Sequence, residues 1–148
     1  MTHKSASAVL DPQYLSARAN DLRFADFMHE IVACFDPQLR HVYVNSAVER
    51  FTGRPSGDFI GKTNRDLGMP TEQVEQWDKA LGEVFRSGQA DEIRFAFDTP
   101  EGERLFVSQL LPQTDSQGAV TSVITIAREI DASRLNGLTA EHFKAIIE

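Results

Sequence analysis

A chain of 148 residues that is 41% hydrophobic and 25% charged has material for one globular core with flanking helices and little for a second domain. Its net charge of −7, with no lysine- or arginine-rich run, disfavours nucleic acid as a direct partner, because neutralising phosphates takes clustered positive charge. A lone cysteine, Cys34, rules out an intramolecular disulfide and fits a reducing cytoplasm, and no apolar run approaches the ~20 residues that span a bilayer, so this segment is expected to make no membrane contact even if a longer parent is membrane-anchored.

Residues 1–10 are small and polar and are expected to be disordered. Asp11-Pro12 offers an N-cap and a first-turn proline, opening a flanking helix expected over 11–30. Leu15, Arg18, Leu22 and Ala25 recur there at helical spacing, with Phe24 and Phe27 widening the apolar face. Strands are predicted at 31–35 and 40–44, joined by the turn Asp36-Pro37-Gln38-Leu39. Asn45 is placed to cap a short helix with its side chain and Gly53 to end it in the left-handed conformation. Between residues 46 and 67 the helical pieces are broken at Gly53, Gly57 and Gly61, too short to stand without a sheet beneath them.

Thr71 is read as the cap of a longer helix ending at Gly88, with Val74, Trp77, Leu81, Val84 and Phe85 as its apolar stripe and Glu75, Lys79, Glu83 and Arg86 on its wet side. Three strands follow, at 92–98, 104–111 and 120–128. The last two carry apolar residues at both parities, Leu105 and Val107 against Phe106 and Leu110, and Val123 against Ile124 and Ile126. Both sheet faces therefore need cover. The central helices are expected on one face and the N-terminal helix, from this chain or a dimer mate, on the other, which makes a homodimer the expectation.

The wording of these elements carries a resemblance. Tyr43-Val44-Asn45-Ser46-Ala47 followed by Phe51-Thr52-Gly53 resembles the opening of a PAS domain, a sensory module of bacterial signalling proteins. Phe59-Ile60-Gly61-Lys62-Thr63 resembles its second small-helix motif, the run ending at Gly88 the close of its long helix, and the turn ending at Gly118 its last hairpin. The resemblance covers about residues 31–131. It implies an α+β fold: a five-stranded antiparallel sheet with helices on one face and an N-terminal flanking helix. It also implies the input domain of a cytoplasmic sensor, most often a histidine kinase, that passes ligand or partner binding to a C-terminal output domain. The alternative is a ligand-free dimerisation or protein-interaction module of a transcriptional regulator or cyclic-dinucleotide enzyme. Arg128-Glu129-Ile130-Asp131 resembles the Asp-Ile-Thr ending that relays the signal, with Glu129 in place of aspartate and Asp131 in place of threonine. Residues 132–148 then read as a linker into the next domain.

Catalysis within the chain is not expected. No Ser-His-Asp or Cys-His spacing, phosphate-binding glycine loop or His-x-x-x-His pair is present, and the four histidines read as surface or edge residues. Asp66 and Glu92 are the nearest carboxylates for an enzyme reading. No metal or cofactor is expected: the flavin-binding relatives need a cysteine where this chain has Asn64-Arg65-Asp66, and haem-binding relatives a histidine on the long helix, which has none. Cys34 reads as a small buried hydrophobe. A small-molecule cavity would be walled by Trp77, Leu81, Phe95, Phe97, Phe106 and Leu110, with Ser108 or Gln109 orienting a polar group. The plainer expectation is that these aromatics simply fill the core.

Overall fold

The structure is a computed structural model in which residues 29–130 are described. Outside the described residues lie the expected tail 1–10, the flanking helix with Leu15, Leu22, Phe24 and Phe27, Asp131 of the relay motif and the linker 132–148. His29 and Glu30, expected to end that helix, form a bend entering the first strand.

Strand β1 (Ile31–Phe35) turns into β2 (His41–Val44) through a loop organised by Asp36. Its carboxylate accepts the N–H groups of Gln38 and Arg40, both at 2.9 Å, so the turn satisfies its own backbone. Helix α1 (Ala47–Thr52) ends at Gly53, whose φ of 77° lets its N–H donate to the Glu49 carbonyl at 2.9 Å. A 3-10 turn (Ser56–Phe59) contains Gly57, which therefore does not break the segment as expected. Helix α2 (Thr71–Ser87) closes the same way at Gly88, with φ 71° and an N–H to the Val84 carbonyl at 2.9 Å. Pro70 holds the cap position of α2, and Thr71 is its first helical residue rather than its cap.

The second half is a meander of β3 (Asp91–Thr99), β4 (Gly102–Thr114) and β5 (Val120–Ile130). These strands run longer than the sequence suggests because Thr99 pairs directly with Gly102, leaving only Pro100 and Glu101 in the turn. The sheet order is β2-β1-β5-β4-β3, and every neighbouring pair is antiparallel. On the helix-bearing face Ala33, Phe35, Phe95, Phe106, Leu110 and Val123 pack against Trp77, Leu81 and Val84 of α2. The other face is also apolar, with Cys34 and Ile124 packed among Val32, Tyr43 and Ile126, and Ala96 and Leu105 against Ile130.

Asn45 does not cap α1 with its side chain. The helix begins at Ala47 with Ser46 in the cap position, while the buried Asn45 amide turns toward β1. It accepts the Val32 N–H at 3.0 Å and donates to the Glu30 carbonyl at 2.9 Å, as its own backbone N–H donates to the Val32 carbonyl. The chain entering β1 has backbone groups that no strand partner meets there, and a buried amide supplies both a donor and an acceptor.

Gly53 offers a direct test of the first helix end. A Cβ there would meet only Pro100 Cγ, at an ordinary 3.6 Å, so the penalty for a side chain is conformational rather than steric. Gly53→Val is expected to cost about 2 kcal/mol and to lower the midpoint of thermal unfolding by several degrees; an unchanged midpoint would show that this residue does not need the left-handed conformation.

Candidate functional site

The space between α2 and the middle of the sheet is filled with rings. Phe95 and Phe106 stack at 5.5 Å with planes 12° apart, Trp77 meets Phe95 edge-on at 5.2 Å, and Phe51 and Phe97 meet Phe106 edge-on at 5.2 and 6.3 Å. Leu81 and Leu110 are fully buried behind them. Large residues at helical spacing on α2 and at alternate positions on β3 and β4 point at one another, so the core closes on itself.

The open space lies at the flank of this stack. A cleft of about 710 Å³ runs between the first turns of α2, the segment 67–70, the 3-10 turn and β3. Its apolar lining comes from Phe59, Leu67, Met69, Phe95 and Phe97, and its polar lining includes Arg54, Gln73 and Gln76. Of the cavity residues read from sequence, Phe95 and Phe97 line this cleft, whereas Trp77, Leu81, Phe106 and Leu110 stand behind it in the core. Ser108 is buried on the strand face of Phe106 and Leu110. Gln109 is exposed on the opposite face, because successive side chains of β4 alternate, and so it has no access to a ligand in the cleft.

Arg54, Gln73 and Gln76 are the residues the sequence reading missed. Gln73 and Gln76 stand one helical turn apart beside Trp77, a spacing that places them on the flank of the apolar stripe. Their amides donate to the Ala96 and Arg94 carbonyls at 2.5 and 3.2 Å, tying α2 to the sheet-edge strand β3. Arg54 donates to the Leu67 carbonyl at 2.7 Å and holds the far wall.

The two carboxylates considered for catalysis are engaged elsewhere. Asp66 accepts the Thr63 N–H at 3.1 Å, while its own N–H donates to the Thr63 hydroxyl, a reciprocal turn that holds its pKa below the ordinary carboxylate value. Glu92 pairs with Arg94 at 3.3 Å on the surface. Cys34 is buried, and burial pushes its thiol up to about 11, which keeps it protonated and unreactive. Among the described residues no three metal-binding side chains gather, and no helix is long and apolar enough to cross a membrane.

At the end of β5, Glu129 pairs with Arg104 of β4 at 3.1 Å, and Arg104 also lies 3.9 Å from Glu101. Adjacent strand residues face opposite ways, so Arg128 is turned away from Glu129 and the cross-strand base is the one within reach.

His41, read as a surface or edge residue, lies on the edge strand β2 but is buried. Its ring lies 4.3 Å from Phe35 and 5.5 Å from Phe59, and its Nδ1 donates to the Lys62 carbonyl at 2.8 Å. Together with the backbone bonds of His41 to Lys62 and Gly61, this fastens the loop after the 3-10 turn along the edge of β2.

The family model described as PAS fold matches residues 26–135, about three quarters of the chain, and the chain belongs to that family. A PAS domain is a sensory module and is itself non-catalytic. None of the curated protein sequences matches this one. Among solved structures, the Vibrio cholerae VqmA–ligand–DNA complex superposes with a TM-score of 0.63 at 22% identity, over 86% of this chain and 61% of that one. Another Vibrio cholerae VqmA structure, of a dimer in the absence of target DNA, is covered over only 52% of its length, so this chain spans little more than half of such proteins. The PAS domain of Bordetella pertussis BvgS gives a TM-score of 0.65 at 18% identity, over 81% of this chain and 93% of that one. The Cronobacter turicensis RpfR PAS domain in complex with C12:0 gives 0.58 at 19% identity, over 70% and 96%. These likenesses show the fold.

Burial pushes the His41 pKa below its ordinary 6.5. The native state then keeps the ring neutral while the unfolded chain takes up a proton below that pH, so stability from this group is complete above about 6.5 and falls as the pH drops. Urea titrations of the wild type are expected to show stability falling between pH 6.5 and 5 by at most about 1.4 kcal/mol per unit, with the fall removed in His41→Phe. An identical pH slope in the variant would assign the effect to other groups.

Proposed function

We propose that this chain is the input domain of a larger regulatory protein, which senses a small molecule in the cleft beside α2 and passes the signal out through β5. The observation that carries the reading is the route the sheet provides. Phe97 lines the cleft and pairs across the sheet with Arg104, and Arg104 holds Glu129 one residue before the end of β5. A ligand that presses on β3 therefore acts on the strand whose arginine grips the exit of the domain. For that to be a switch, the ligand must bind two packings of this ladder with different affinity.

A concave site of this volume with an apolar floor is the usual form of a small-molecule site, and this one adds a rim richer in polar side chains than most. The ligand-bearing VqmA and RpfR structures of the same fold support that use. We read the output as a sensor histidine kinase, the setting that the motif resemblance implies, working as a cytoplasmic homodimer. A DNA-binding regulator is the second reading, supported by the VqmA complex with ligand and DNA.

Native mass spectrometry of the protein as purified, set against its denatured mass, tests the dimer and the ligand together. The expected species is a dimer carrying additional small-molecule mass. A bare monomer that gains no mass from a small-molecule extract of the expression host would contradict the reading.

A further inference from the structure

The polar lining of the cleft is uneven in charge and in hydrogen-bonding sense. Four carboxylates line it, Glu72, Glu75, Asp98 and Glu103, against two bases, Arg54 and Lys79. Arg54 spends one N–H on the Leu67 carbonyl and keeps its charge, Lys79 lies four residues from Glu75 on one side and from Glu83 on the other along α2, and the carboxylates outnumber the two. An anionic head entering the cleft meets a net negative rim.

The glutamines point to the same selectivity. A backbone carbonyl can only accept, so the bonds to Ala96 and Arg94 fix the NH2 groups of Gln73 and Gln76 against β3. That leaves each Oε1 as an acceptor without a protein partner among the described residues, on two side chains that line the cleft. Acceptors favour a ligand that donates, and a carboxylate cannot donate.

We propose that the cleft takes an apolar small molecule with an uncharged or cationic hydrogen-bond-donating head and rejects carboxylates. This rests on the sensing function proposed above and names the chemical class of its ligand. The floor of aromatic and aliphatic side chains holds the apolar body, the Gln73 and Gln76 oxygens take the donor, and the acidic rim sets the charge preference.

Trp77 is the only tryptophan and packs edge-on against Phe95 of the cleft wall, so its fluorescence reads occupancy. Titration at pH 7 and low ionic strength with octylamine, octanol and octanoate compares three heads on one apolar body. The expected result is that octylamine and octanol bind while octanoate is at least about tenfold weaker, with the gap closing in 0.5 M salt as rim charges are screened. In the double variant Glu72→Gln, Glu75→Gln, whose sites are exposed on α2, the octanoate deficit is expected to shrink while far-UV circular dichroism stays unchanged. Octanoate binding as tightly as octylamine, or a gap the double variant leaves intact, would overturn the proposed selectivity and leave the sensing reading standing. No response to any of the three at millimolar concentration would overturn both.

Discussion

The ring of Phe106 is the point on which the rest of the domain is arranged. It lies in the middle of β4, fully enclosed, with Phe95 stacked on it and Phe51 and Phe97 edge-on, and Trp77 reaches it through Phe95. Through these rings α1, α2 and β3 are all fastened to one central strand. Each aromatic pair adds roughly 0.5–1.5 kcal/mol beyond the area it removes from water. The same packing leaves little room between helix and sheet, and so the accessible space is displaced to the flank, where α2 meets the edge strand.

That displacement explains the character of the candidate site. A cavity enclosed by the core would be lined by the apolar stripe of α2 alone. The cleft at the flank takes from α2 only its polar side, Glu72, Gln73, Glu75, Gln76 and Lys79, while Phe59, Leu67, Met69, Phe95 and Phe97 supply its apolar part and Asp98 and Glu103 come from β3 and β4. The site joins an apolar floor to a charged rim because the polar flank of an amphipathic helix there faces apolar side chains of β3, the 3-10 turn and the segment 67–70. It also reaches β3, the strand whose neighbour carries Arg104, so the ladder links the cleft to Glu129 without a separate connecting element.

Much of this architecture was legible in the sequence, and the parts that were not share a cause. The strands, the long helix and its glycine stop follow from short apolar runs bounded by turn residues, from the 3.6 period of the helix and from positions where φ must be positive, all of which are local. Asn45 has the sequence context of a helix cap, yet Val32 and Glu30, more than a dozen residues away, claim its amide. His41 was read as a surface or edge residue and does lie on an edge strand, but it is buried there because Phe59 and Lys62 are brought over it by the loop. Ser108 and Gln109 were equivalent in sequence until strand register put one inside and the other out. The cavity read from the sequence lies deeper than this cleft, at positions that ring-on-ring packing between α2, β3 and β4 fills, and such packing is decided in three dimensions and leaves no mark in spacing.

The central claim is that a ligand binds at the flank of the aromatic stack and not within it, and backbone amide chemical shifts measured with and without octanol test this most directly. The largest shifts are expected at Gln73, Gln76, Ala96 and Phe97, around the mouth and floor of the cleft. Shifts concentrated instead at Leu81, Ser108 and Leu110 would place the ligand inside the core and contradict the account.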